Sequence, residues 1–205
     1  MIKNLHWLGH SGFKITGSKI VYIDPYKISD TETADLILIT HEHYDHLSRK
    51  DIEKISGPET IVIIPASVVA SFPRQKAMKP GDVLEMEGVR IEAVPAYNLD
   101  KPFHSKSKQW VGYVVTLDGT RYYHAGDTDH IPEMKTIQTD VALLPVGGTY
   151  TMTAEEAAEA VQDIHPKIAV PMHWGSVVGS KSDAERFGEL CTCEVYIPES
   201  GIMKQ

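Results

Sequence analysis

His41-Glu42-His43-Tyr44-Asp45-His46 places three imidazoles and a carboxylate within six residues, in the order H-x-H-x-D-H. Imidazole and carboxylate are ligands that zinc accepts in roughly tetrahedral sets, and a catalytic site leaves one position for water. Alternate residues of an extended strand end point the same way, so His41 and His43 can both reach one cation. Asp45 and His46 lie past the bend and face a second. Six residues cannot close two such shells, so the rest of the chain must supply more. The candidates are His104 in a polar loop, Asp127 within His124-Ala125-Gly126-Asp127-Thr128, and His173 within Pro171-Met172-His173-Trp174-Gly175. Each sits at a strand end or in a loop, where binding groups usually gather. Two cations roughly 3.5 to 4 Å apart can share a water, lower its pKa toward about 7 and aim the hydroxide at an electrophile. Hydrolysis by that route needs no serine or cysteine nucleophile.

The elements that must hold these residues can be read from hydrophobic pattern. Leu36-Ile37-Leu38-Ile39 is an apolar run of strand length, and Ser48 with Asp51 is a capping-box pair opening a helix to residue 55. The cluster therefore occupies a strand-to-helix loop. Upstream, strands are predicted over residues 5–8, 13–15 and 19–23, the last stopping at Asp24-Pro25. Downstream come strands over 60–64 and 89–94, a small helix over 66–71, and strands over 110–117 and 121–124 flanking the hairpin signal Asp118-Gly119. The last third alternates: strand 141–144, a helix capped by Thr153 with Glu156 and ended by Pro166, strand 168–171, a helix opened by Ser182 with Glu185, strand 194–197. Interleaved strands and helices predict stacked sheets covered by helices. Asp35-Leu36-Ile37-Leu38-Ile39 and Asp140-Val141-Ala142-Leu143-Leu144 resemble each other, either through internal duplication or because buried strands share a composition.

The chain of 205 residues, 42% hydrophobic, can bury a substantial core, and with no biased linker it is expected to be a single domain over 1–205. A formal charge of −8 supplies no global basic field, so no nucleic-acid partner is expected. No apolar run approaches the roughly 20 residues that span a bilayer, and Met1-Ile2-Lys3-Asn4-Leu5-His6-Trp7 lacks the apolar centre of a signal peptide. A soluble, cytoplasmic protein with no membrane partner is the expectation. Cys191 and Cys193 flank Thr192 too closely for easy disulfide geometry and are expected to be free thiols entering a late strand.

In sequence order, Ile23-Asp24-Pro25, the H-x-H-x-D-H cluster, lone His104, lone Asp127 and final His173 reproduce the motif series of the metallo-β-lactamase-fold hydrolases, which the chain resembles from Asp24 to His173. Trp7-Leu8-Gly9-His10-Ser11-Gly12-Phe13, Tyr123-His124-Ala125-Gly126-Asp127-Thr128 and Gly147-Gly148-Thr149-Tyr150-Thr151-Met152 are similar to its compact branch related to ascorbate-6-phosphate lactonase. The resemblance implies a four-layer αββα sandwich of two mixed β-sheets flanked by helices, with the site at one edge. It also implies His41, His43 and His104 on one metal, Asp45, His46 and His173 on another, and Asp127 bridging.

Around these, Asp24 and His124 are expected behind the ligands, orienting them, although His124 also competes for the role of His104. His10 either approaches the site or is a structural histidine; His6, His130 and His165 are assigned to structure or surface. Lys101, Lys106 and Lys108 bracket His104 and either attract an anionic substrate or belong to a solvated loop. Tyr150 and Trp174 are candidate pocket walls.

The expected function is hydrolysis of a small, anionic ester, lactone or phosphodiester by a hydroxide bridging two divalent metal ions, with Asp45 and Asp127 as catalytic carboxylates. Zinc is expected, and the same ligands accept manganese or iron. The other readings are a nuclease of the same fold, a redox di-iron protein and a noncatalytic metal-binding module. Whether copies of the chain associate is left open.

Overall fold

Alternation along the strands sets the layers. The computed structural model describes residues 1–86 and 88–199. One sheet carries, in spatial order, β1 (Leu5–Gly9), β2 (Gly12–Thr16), β3 (Ile20–Ile23), β4 (Leu36–Leu38), β5 (Ile61–Pro65) and β6 (Gln75–Met78). The other carries β7 (Val83–Met86), β8 (Val89–Pro95), β9 (Val111–Leu117), β10 (Thr120–His124), β11 (Val141–Pro145), β12 (Ile168–Met172) and β13 (Glu194–Val195). Each sheet is antiparallel up to β3 or β10 and parallel beyond it.

Val21, Ile23, Leu36, Leu38 and Ile63 share a core with residues of β9 to β12 and with Ala157, Val161 and Phe187. Tyr22, Ile37, Ile39, Val62 and Ile64 point the opposite way and pack with Ile52 and Ile55. The period of two thus divides β3, β4 and β5 between the space between the sheets and an outer helix. Helix α1 (Arg49–Ile55) covers the first sheet; α2 (Ala154–Ile164) and α3 (Lys181–Leu190) cover the second. This is the expected four-layer αββα sandwich. All five residues of both β11 and β12 are buried, as parallel strands covered on both faces must be.

Asp118 and Gly119 adopt φ of 48° and 77°, the doubly left-handed conformation of the predicted hairpin turn. Thr153 and Glu156 form the predicted capping box of α2. Other expectations need correction. No helix forms over 66–71: Val68 N–H closes a turn on Pro65 O, and a segment bracketed by Pro65 and Pro73 and carrying Val68-Val69 is too short to offset helix nucleation. Strands β6 and β7 are four residues each and were not predicted, because they turn only Met78, and Leu84 with Met86, toward the core. Helix α3 is N-capped by Ser180, whose N–H donates to Asp183 Oδ2 at 2.7 Å, two residues before the predicted Ser182–Glu185 cap.

At α1, Ser48 is the N-cap but Asp51 does not complete a capping box. Its carboxylate instead accepts from Ser48 Oγ, Lys27 N and Ile28 N, strapping the chain after Asp24 to the helix that follows the histidine cluster. Asp35 and Asp140 hold matching places in the two sheets. Each carboxylate accepts a backbone N–H from the preceding strand, Ile20 or Arg121, and each opens a parallel strand. The resemblance between the two segments is therefore structural as well as compositional.

Candidate metal centre

Asp24 follows β3, His41 to His46 follow β4, Asp127 follows β10 and His173 follows β12, so strands of both sheets deliver to one edge. His10 lies in the β1–β2 turn and His104 between β8 and β9. Gly126 lets the Asp127 loop pass: its φ is 66°, and a Cβ there would meet Val111 O at 3.0 Å and Thr40 Cβ at 3.2 Å.

The chain brings all seven sequence-predicted ligands together and adds His10, in two adjoining groups. One comprises His41, His43, His104 and Asp127; the other comprises His10, Asp45, His46 and His173; within each, the candidate ligand atoms lie within 4.8 Å of one another. Asp127 touches both. Its Oδ2 lies 3.3 Å from His104 Nε2 and 3.1 Å from His173 Nε2, while Oδ1 lies 3.4 Å from His46 Nε2. His41 Nε2 and His43 Nδ1 converge to 3.0 Å.

Three of the imidazoles are anchored through Nδ1. Asp24, fully buried, accepts from Thr40 N–H at 2.8 Å, Thr40 Oγ at 2.6 Å and His46 Nδ1 at 2.7 Å. With its proton given to Asp24, the Thr40 hydroxyl accepts from His41 Nδ1 at 2.9 Å. Asn98 Oδ1 accepts from His104 Nδ1 at 2.9 Å, and Asn98 Nδ2 donates to Asp129 Oδ1 and Tyr150 O. These bonds place the proton on Nδ1 and leave the Nε2 lone pairs of His41, His46 and His104 directed inward. His46 Nε2, His104 Nε2 and Asp127 Oδ1 are buried with no hydrogen-bond partner in the protein. Buried lone pairs converging on a carboxylate lack a positive partner, and a divalent cation supplies one. The donor set therefore fits metal ions.

Electrostatics support the same reading. Burial, reinforced by His46, holds His41 well below the ordinary imidazole pKa; burial and His104 lower His43. Both are thus neutral and ready to ligate at neutral pH. Burial opposes charge on His46, yet Asp127 and Asp24 outweigh it and raise its pKa well above the ordinary value. Burial likewise disfavours Asp127 as an anion, but His173 and His46 outweigh it and hold its pKa well below the carboxylate range. A divalent cation here would supply the positive charge that Asp127 and Asp24 favour at this position.

His10 is more than a turn residue. It is buried, sits at φ 52°, and its Nε2 lies 3.0 Å from Asp45 Oδ2, while its carbonyl accepts from His173 N and Trp7 Nε1. His124 stands back from both groups: Nε2 donates to Ser11 O and Nδ1 accepts from Gly126 N, so it fixes the loop carrying Asp127. Trp174 stacks on Trp7 at 4.7 Å and donates to Pro171 O, leaving the pocket wall to Tyr150. His6 bonds Thr16, His130 pairs with Asp163, and His165 ends α2 in the left-handed region, away from the centre. Cys191 and Cys193 are free.

Asn98, Asp129, Thr40 and Trp110 carry the support that sequence reasoning missed. Trp110 lies beneath His41, His43 and His104, with ring centroids 4.9, 5.0 and 5.7 Å away. Asp129 stands two residues past Asp127, the one local signal available. Replacing Asn98 by Ala frees the His104 ring and is expected to weaken metal binding by about 10- to 100-fold, with His104 retained. Competition with a calibrated chelator measures it, and unchanged affinity would show that His104 needs no anchor.

A family model described as the beta-lactamase superfamily domain matches residues 4–173. The UPF0173 metal-dependent hydrolase of Thermoplasma acidophilum is 35% identical over 210 positions, covering 93% of this chain and 92% of the relative. That of Pyrococcus abyssi is 36% identical over 212 positions, with 93% and 92% covered. Among solved structures, a candidate metal-dependent hydrolase from Parabacteroides distasonis matches with a TM-score of 0.86 at 34% identity, over 95% of this chain and 92% of the other. Igni18, a metallo hydrolase from Ignicoccus hospitalis, matches with a TM-score of 0.78 at 25% identity, over 97% and 95%. With a matching family model over most of its length and relatives aligned nearly end to end, the chain belongs to the beta-lactamase superfamily, among its UPF0173 metal-dependent hydrolases.

Proposed function

We propose that this metal-dependent hydrolase is dinuclear and cleaves a small ester, lactone or phosphodiester with water. His41, His43 and His104 would hold one divalent ion and Asp45, His46 and His173 the other, with Asp127 between them; zinc suits the donors, and manganese or iron are alternatives. Two such ions supply a hydroxide at neutral pH and polarise the attacked carbonyl or phosphoryl oxygen. The observation that carries this reading is Asp127, whose two oxygens reach histidines of both groups while Oδ1 keeps no hydrogen-bond partner of its own.

The chain's own residues do the positioning. Asp24, Thr40 and Asn98 fix three imidazole tautomers, and His10 steadies Asp45. The hydrogen bond from His10 and the nearby His46 also keep the Asp45 carboxyl below its ordinary pKa against the cost of burial, so it is anionic when substrate binds. The expected partner is a small molecule, with no nucleic acid or membrane required; no helix among the described residues is long and apolar enough to cross a bilayer.

Elemental analysis combined with a hydrolase panel tests the proposal. The purified protein is expected to carry two metal equivalents, to lose ester, lactone or phosphodiesterase activity on chelation, and to regain it with Zn2+ or Mn2+. A stoichiometry that saturates at one ion would overturn the dinuclear reading. Activity untouched by complete metal removal would overturn the mechanism.

A further inference from the structure

The anionic-substrate expectation rested on Lys101, Lys106 and Lys108, and each of them is already engaged. Lys101 Nζ lies 2.6 Å from Asp129 Oδ1, Lys106 Nζ 3.0 Å from Glu133 Oε1, and Lys108 Nζ 2.9 Å from Glu42 Oε1. Lys27 places its ammonium over the Tyr26 ring, 5.0 Å from the centroid. Beside the metal-binding groups lies a cavity of about 220 Å3, and among the described residues that line it none is a lysine or arginine.

Its walls beyond the ligands are Tyr44, Phe103, Tyr150 and Val177. Phe103 and Tyr150 meet edge to face at 4.7 Å, and Phe103 and Tyr44 are 42% and 66% exposed although both are large and apolar. Exposed aromatic rings that rim a concave site are a ligand contact more often than an accident of packing. The volume is below the roughly 300–1,000 Å3 of drug-sized sites, so the arm it takes is short.

We propose that this cavity binds an uncharged hydrocarbon or aromatic arm, and that the substrate is a neutral carboxylic ester or lactone with no anionic group beyond the reacting centre. The inference rests on the hydrolase reading and narrows it. Water adds to the acyl carbon and its oxygen forms the new C–O bond. The acyl–alkoxy bond breaks with its electron pair on the leaving oxygen, which takes one proton of the water. The second proton passes to solvent as the product acid ionises. Phe103 and Tyr150 are specificity-determining residues that hold the arm.

The test pairs phenyl acetate with 4-acetoxybenzoate, which differ by one remote carboxylate, on the metal-loaded protein. Phenyl acetate is expected to have the higher kcat/KM by about 10-fold. Phe103→Ala and Tyr150→Ala are each expected to raise its KM on the order of 5- to 10-fold, as burial of part of one ring implies, with metal content unchanged. Lys106→Ala and Lys108→Ala should leave the ratio between the two esters unaltered. Calorimetry with acetanilide and 4-acetamidobenzoate reads the same preference without turnover. Preference for the carboxylates, its loss in the lysine variants, or indifference to both aromatic substitutions would overturn the inference. If neither ester is cleaved, the hydrolase reading is in question, and the calorimetric preference still decides what the cavity binds.

Discussion

Asp127→Asn is expected to lower kcat/KM by at least about 10^3-fold, roughly 4 kcal/mol of barrier, and to leave the protein with less than its full metal complement. Asparagine keeps the shape but offers one neutral acceptor and an NH2 donor. Asp127 presents both oxygens to facing imidazole nitrogens, those of His104 and His173 on one side and that of His46 on the other. An amide NH2 turned toward any of these can hydrogen-bond to it and so occupy the position that a cation needs. The carboxylate is also the leading favourable influence on the charged form of His46, so its loss removes the negative charge around which the centre is built. Metal content, chelator-competition affinity and steady-state kinetics together check it. Wild-type turnover with two metals bound would remove Asp127 from the centre.

How much of this was legible in the chain follows from what each residue must satisfy. A metal restricts its ligands to a few residue types, so His41, His43, Asp45, His46, His104, Asp127 and His173 stand out in sequence, and all converge in space. The residues behind them have no such restriction. Asn98 serves His104 through one carbonyl oxygen, a role open to several side chains and to the backbone, and nothing in Tyr97-Asn98-Leu99 signals it. The lysines near His104 look alike in sequence whether they face substrate or an acidic partner. Glu42, Asp129 and Glu133 decide the matter, and they lie distant in the chain from the lysines they neutralise. Strands with several buried residues were readable as apolar or alternating runs; β6 and β7 were not, because each is four residues long and turns only one or two side chains, Met78 or Leu84 and Met86, toward the core.

The second large effect lies one layer behind the ligands. Asp24→Ala is expected to cost about 3–5 kcal/mol of stability, the loss typical when one partner of a buried charged network is removed. Three donors converge on this carboxylate: Thr40 N, Thr40 Oγ and His46 Nδ1. Water has no evident way to replace it, since Asp24 and His46 are both fully buried. Alanine must also adopt the φ of 46° found there, a left-handed conformation that aspartate and asparagine tolerate better. For a domain of this size the loss corresponds to a fall in Tm on the order of 10 °C. Asp24→Asn separates charge from conformation. It keeps the backbone preference and one acceptor for Thr40 N–H, but its NH2 would face either the Thr40 hydroxyl or the His46 Nδ1–H. The asparagine variant is therefore expected to fold with a smaller loss of stability and still to bind metal about 10- to 100-fold more weakly, because the His46 tautomer is no longer imposed. Calorimetric melting and metal titration of the two variants provide the comparison. If Asp24→Asn retained wild-type metal affinity, the carboxylate would serve only the turn before Pro25, and the orientation of His46 would have to come from packing alone.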